Sequence, residues 1–125
     1  MAVRDGRLLA PRLGRAPVAP VGGAWRLSVE RKGSLDGLAI TAAAPDRPLE
    51  AHEVRIGVRA AGLNFRDVLI ALGLYPGDAE MGTEASGVVI EVGADVHDLA
   101  PGDRVMGLVM DGFGTRAVSD RRMVV

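Results

Sequence analysis

Val54-Arg55-Ile56-Gly57-Val58-Arg59 alternates apolar and polar positions without a break and then runs into Ala60-Ala61-Gly62. Successive side chains of an extended chain point to opposite faces, so this period of two predicts a strand with one face in a core and the other in water. The period then changes. Asn64 can cap a helix whose apolar residues Phe65, Val68, Leu69 and Leu72 fall at i, i+3, i+4 and i+7, with Asp67 near its positive N-terminal end. Gly73 stops that helix, and Leu74 and Pro76 beyond it suit a helix C-terminus. The spacing therefore predicts one short helix near residues 65–73.

Working outward, Trp25, Leu27 and Val29 alternate with Arg26, Ser28 and Glu30 as a half-buried strand does, and a second strand is expected around Leu38 and Ile40 after Gly37. Pro45-Asp46-Arg47-Pro48 breaks the pattern and reads as a surface loop. Downstream, Val88 to Val92, between Gly87 and Gly93, and Val105 to Met110 read as buried apolar strands joined through Pro101-Gly102-Asp103. Asp111-Gly112 predicts a hairpin turn into Thr115 to Val118, and Met123-Val124-Val125 forms a last apolar piece. Many short strands with one helix predict a mainly β, barrel-like domain over residues 25–125. Residues 1–24, with Arg7, Arg12, Arg15, Pro11, Pro17 and Pro20, have the composition of a linker in which Leu8 and Leu9 are a candidate edge strand.

Composition sets the bounds. Of 125 residues, 48% are hydrophobic and 25% charged, and Leu, Ile, Val and Phe number 35, above the roughly one-fifth level below which disorder is expected. The core must be built from small residues, because Ala supplies 18 of the 60 hydrophobic positions and aromatics only four. A net charge of -1 gives no electrostatic case for a nucleic acid or an anionic membrane as partner. With no cysteine there is no disulfide framework, thiolate metal site or thiol nucleophile, and the cytoplasm is the expected compartment. Arg4 and Arg7 are followed by no apolar stretch of signal-peptide type, and no run is long enough to span a membrane.

Motifs of chemistry are few. The two histidines, His52 and His97, stand 45 positions apart in polar contexts, so no metal site is expected. Ser86, in Gly82-Thr83-Glu84-Ala85-Ser86-Gly87, lacks the first glycine of a nucleophile elbow. Gly112-Phe113-Gly114-Thr115-Arg116-Ala117 satisfies the dinucleotide pattern G-x-G-x-x-G/A, but no helix opens there and no acidic residue follows at about 20 positions, so a turn is expected instead. The sole tyrosine, Tyr75, sits before Pro76-Gly77, where a rigid turn can aim its hydroxyl at a cleft, although a packing residue with a polar tip fits the same spacing. Asn64 can equally be nothing more than a helix cap.

Gly82-Thr83-Glu84-Ala85-Ser86-Gly87-Val88-Val89, followed by Val92-Gly93, Val96 and Gly102-Asp103-Arg104-Val105, resembles the signature of the medium-chain dehydrogenases/reductases. Zinc-dependent members carry a histidine at the position of Thr83 and a cysteine near Asn64 and Phe65, so the resemblance implies a zinc-free member. Ala61-Gly62-Leu63-Asn64-Phe65-Arg66-Asp67-Val68, ending in Leu74-Tyr75-Pro76-Gly77, is similar to the enoyl reductase domains of modular polyketide synthases, with animal fatty-acid synthase a near relative. Val3-Arg4-Asp5-Gly6, Pro11-Arg12 and Gly33-Ser34-Leu35-Asp36-Gly37-Leu38 resemble the opening of the same domain.

The resemblance implies a GroES-like bent open barrel, the substrate-side portion of an enoyl reductase, without the Rossmann domain that binds the nucleotide. In that family the intact domain uses NADPH to reduce a trans-2-enoyl thioester carried on acyl carrier protein. Tyr75 matches a tyrosine regarded as proton donor, and Asn64, Phe65 and Thr83 would line the nicotinamide and substrate cleft. The expected partners are the carrier-bound thioester, the nucleotide-binding half and neighbouring synthase domains. On this reading the 125 residues alone do not turn over. The alternatives are part of a stand-alone quinone or enone reductase and a non-catalytic GroES-like binding module.

Overall fold

The computed structural model describes residues 2–4, 6–9 and 22–125. The predicted linker falls largely on residues 10–21, which lie outside the described residues. Before them, β1 (Ala2–Arg4) and β2 (Arg7–Leu9) pair antiparallel, so Leu8 and Leu9 lie on a strand of a small two-stranded sheet.

Two further sheets make the body. In one, β3 (Trp25–Val29) pairs antiparallel with β4 (Leu38–Ala42), Leu27 opposite Ile40 and Val29 opposite Leu38. A short 3-10 turn, Leu35–Gly37, leads into β4, with Ser34 accepting from the Asp36 N–H. In the other, β5 (Glu53–Gly62) and β6 (Glu84–Val92) form the centre, β7 (Arg104–Leu108) lies outside β6, and β8 (Arg116–Asp120) lies outside β5. All pairings among the described residues are antiparallel. Register shifts along β5 between Arg55 and Ile56 and between Val58 and Ala60 bend the sheet, as bulges do. Met110, past β7, then meets Val118 on β8, and this bridge, with the Ser119 hydroxyl donating to the Leu108 carbonyl at 2.6 Å, joins the two edges of an otherwise open barrel.

The alternation along β5, β6 and β8 places Val54, Ile56, Ala85, Val89 and Ala117 in the main core, with Val105, Val109 and Val124. A second cluster holds the helix α1 (Phe65–Ala71) against the β3–β4 sheet: Ile70, Ala71 and Met81 pack with Leu27, Val29, Leu38, Tyr75 and Phe113. Gly73, at φ 70°, ends the helix as its position predicts.

Several expectations need correction. The wet face of β5 is not wet at Arg55, which is 5% exposed because Glu91, Asp46 and the Arg47 carbonyl surround its guanidinium. The helix does not bury the stripe Phe65, Val68, Leu69 and Leu72. It buries Asp67, Ile70 and Ala71, a stripe turned by about 160°, nearly the opposite face. Phe65 is left 73% exposed, because the bonds of Asp67 described below set the rotation of so short a helix. The strand expected from Val88 begins at Glu84, so Gly87 lies within it, opposite Val58. The segment from Val105 is only half buried: Val105 and Val109 point inward, while Met106, Leu108 and Met110 point out. Asp111 and Gly112 do not make a tight hairpin, since β7 and β8 are on opposite edges and the chain between Met110 and Val118 loops out to reach Gly82 and Trp25. The last apolar piece is a 3-10 turn, Arg121–Met123, followed by Val124 bridged to Gly107.

Candidate functional site

The site grows from the junction between β5 and α1. Asn64 leaves β5 in an extended conformation and caps the helix, its side-chain oxygen accepting from the Arg66 N–H at 2.9 Å. The cap is reciprocated: Asp67 accepts from the Asn64 N–H at 2.8 Å through Oδ2. Its other oxygen, Oδ1, accepts from the Gly82 N–H at 2.9 Å, although Asp67 itself is only 2% exposed. One buried carboxylate thus ties the start of the helix to the loop that carries Thr83. Its charge is offset by two backbone donors and by the positive end of the helix.

That loop is tied in turn to the end of β7. Gly82 accepts from the Gly112 N–H at 2.7 Å, and Thr83 accepts from the Val109 N–H at 3.0 Å. Gly82 has φ 76°, and a Cβ there would stand 2.5 Å from the Phe113 nitrogen, so only glycine fits this crossing of two backbones. Arg26 lies within 3.6 Å of Glu80 and 3.5 Å of Asp111 beside the same crossing. Contact with the Asp111 carboxylate, then burial, push the Glu80 carboxyl above its usual range, and Arg26 opposes that shift.

Tyr75 approaches from the other end of the helix. Its N–H and that of Leu74 both donate to the Leu69 carbonyl, a wrap that returns the chain over the last turn. The half-buried ring packs on the cluster of Ile70, Ala71 and Met81. The Arg66 guanidinium lies over it, 5.0 Å from the ring centroid.

Of the residues singled out in the sequence, Asn64, Phe65 and Thr83 are therefore drawn together through Asp67, and Tyr75 is linked to the same helix through Arg66. Asn64 performs the capping role weighed for it, and as an exposed residue it keeps the donors of its amide nitrogen. Asp67 as the link to Gly82, and Arg66, were missed. The capping-box spacing from Asn64 to Asp67 could have found the first, but nothing in the sequence points to Arg66. Around the junction the surface is apolar: Leu63 and Phe65 are exposed, and an open cleft of about 590 Å³ begins at Gly62 and Glu84 and runs along Met106, Leu108 and Met123.

Whether these residues could hold a dinucleotide can be judged from the glycines. Gly112 and Gly114 meet other backbone, Gly82 and Trp25 respectively, and β8 rather than a helix follows. A phosphate cradle needs free backbone N–H groups at a helix N-terminus, so the Gly112 to Ala117 turn does not fit the phosphate end of such a cofactor. Asn64 and Phe65 are exposed at the start of the helix, and Thr83 follows the Gly82 that Asp67 holds. Among the described residues no three histidine, cysteine, aspartate or glutamate side chains are grouped to hold a metal, and no helix is long and apolar enough to cross a membrane.

An antiparallel bent open barrel with one α-helix among the described residues, capped beside a glycine crossing, is the GroES-like architecture of the medium-chain dehydrogenases/reductases. The chain belongs to the alcohol dehydrogenase GroES-like domain family, whose profile matches residues 50–121. It is 50% identical over 131 residues to erythronolide synthase EryA2 of Saccharopolyspora erythraea, a match that covers 99% of this chain and 4% of that protein. Among solved structures it resembles the CurK enoyl reductase, with 33% identity and a TM-score of 0.73 over 82% of this chain and 34% of that one. It also resembles the Escherichia coli quinone oxidoreductase complexed with NADPH, with 28% identity and a TM-score of 0.68 over 81% of this chain and 32% of that one. The chain thus spans a small fraction of the synthase and about a third of each reductase.

Proposed function

We propose that the chain is the substrate-side part of an enoyl reductase that reduces a trans-2-enoyl thioester on acyl carrier protein with NADPH during polyketide synthesis in the cytoplasm. The observation that carries this reading is the match to a polyketide synthase along 99% of the chain, combined with likeness to a solved enoyl reductase. The quinone oxidoreductase supports a second reading, a stand-alone quinone or enone reductase, but at 28% identity against 50% it ranks below the first.

The nucleotide would be held mainly by a second domain and, when bound, would supply a hydride to the β-carbon of the enoyl group. This chain's residues act on the other side of the reaction. As the carbon–carbon double bond is reduced, negative charge develops on the thioester oxygen, and the resulting enolate takes a proton at the α-carbon. Tyr75 donates that proton from its hydroxyl and regains one from water. Asn64, Phe65 and Thr83 form the wall against which the acyl group and the nicotinamide ring lie, and the exposed phenyl of Phe65 excludes water once both are present. No metal takes part. The carrier protein, the nucleotide-binding half and the neighbouring synthase domains are the partners.

The test is Tyr75→Phe in a reductase that joins this chain to its nucleotide-binding half. The expected result is a slower reaction or an altered configuration at an α-methyl branch, with NADPH affinity little changed. Unchanged rate and configuration reject the role of Tyr75. Unimpaired function accompanied by tight association with a partner would favour a binding module instead.

A further inference from the structure

Arg66 looks in sequence like an ordinary exposed helix residue, yet the structure treats it differently. The side chain is half buried, and its Nη1 is fully shielded without a hydrogen-bond partner among the described residues. A guanidinium carries five donors in a rigid plane, and shielding one without an acceptor is costly unless another interaction compensates. That interaction is the Tyr75 ring, whose centroid lies 5.0 Å from the guanidinium carbon, within cation–π range. The ring also packs on the apolar cluster of Ile70, Ala71 and Met81. Backbone bonds from Leu74 and Tyr75 to Leu69 fix the chain behind it.

We infer that Arg66 is a positioning residue that fixes the orientation of the Tyr75 ring, and so the direction from which its hydroxyl reaches the substrate. The inference rests on the proposed role of Tyr75. Delivering a proton to one face of an α-carbon requires a donor held in one orientation. A tyrosine at the edge of a small apolar cluster would otherwise be free to swing, and the planar cation prevents this. Lysine cannot substitute fully, because its compact ammonium group has no plane to stack.

Two measurements test this. Tyr75 is the only tyrosine, so ring-labelled tyrosine gives a single set of signals in the full chain. Arg66→Met is expected to shift those signals and speed ring flipping, with an unchanged backbone spectrum. An unchanged ring spectrum overturns the inference. In the reductase joined to its nucleotide-binding half, Arg66→Met is expected to lower kcat about tenfold with the KM for the thioester within about twofold, and Arg66→Lys to fall between it and the wild type. In a Tyr75→Phe background Arg66→Met should cost nothing further, whereas a merely structural arginine would impose its loss again. If Tyr75→Phe is impaired while Arg66→Met is fully active, the inference fails and the role of Tyr75 stands. If Tyr75→Phe is fully active, the reading beneath the inference fails. Should Arg66→Met not fold, Arg66→Gln replaces it in every arm.

Discussion

Two corners of the molecule reverse the usual placing of polar and apolar side chains, in opposite ways. On β5, Arg55 is 5% exposed, with its guanidinium bonded to Glu91 at 2.8 Å, to Asp46 and to the Arg47 carbonyl. Nearby, Arg47 holds Glu53 with two bonds of 2.7 Å, and Arg116 also reaches Asp46. At the start of α1, by contrast, Leu63 and Phe65 are 75% and 73% exposed, and Leu74 beyond the helix is 68% exposed. The buried charge is fully answered within the chain, so it serves the fold. The exposed apolar groups are covered by nothing among the described residues, and they gain when another surface covers them. That asymmetry fits the proposal that the Arg55 corner is scaffold and the start of α1 is the working face, one wall of a cleft.

The largest expected effect falls on the buried carboxylate beneath the exposed apolar groups, which ties the start of α1 to the Gly82 loop. Asp67→Ala removes the acceptor of both the Asn64 and the Gly82 N–H groups, and should destabilise the chain by about 3 kcal/mol in denaturant unfolding. A loss below about 1 kcal/mol would mean that this carboxylate does not hold the junction. Arg55→Leu should cost less, about 1–2 kcal/mol, because its carboxylate partners Glu91 and Asp46 are 52% and 39% exposed and can be rehydrated. A cost as large as that of Asp67→Ala would contradict the view that this corner is satisfied locally.

Acid should act on the scaffold corner first. The Arg47 side-chain bonds, helped by the Glu50 N–H, bring the Glu53 carboxyl down from 4.5 to about 2. A carboxyl lowered in the folded state contributes stability that is present above its unfolded value and is lost as pH falls through the folded one. Between about pH 4.5 and 2 the chain should therefore lose stability more steeply than Glu53→Gln does. Parallel curves would place the acid sensitivity elsewhere. The smallest effect is expected at the working face: Phe65→Ser should change stability by no more than about 0.5 kcal/mol, since the ring is already in water. The same variant should still impair turnover in the joined reductase.

The strands were legible because period two survives in a sheet with one buried face. Trp25–Val29 and Leu38–Ala42 stand where the alternation of Trp25, Leu27 and Val29 and the apolar pair Leu38 and Ile40 predict them. The helix and its stop were legible from Asn64 and Gly73, but its facing was not, because apolar spacing carries no record of a tertiary bond such as that from Gly82 to Asp67. Nor could alternation reveal that Arg55 is buried, since its partners Asp46 and Glu91 lie in remote segments. For the site, spacing marked out Asn64 and Tyr75, and resemblance added Phe65 and Thr83 and a role for all four. Their grouping depends on contacts of Asp67 and Arg66 that no linear spacing encodes.

The central claim is that this chain provides one wall of a reductase cleft and leaves the nucleotide to another domain. It is tested most directly by following NADPH oxidation with a crotonyl thioester, first with the 125 residues alone and then with the same residues joined to a nucleotide-binding half. The account predicts no turnover from the first and steady turnover from the second. Sustained NADPH consumption by the isolated chain would contradict it.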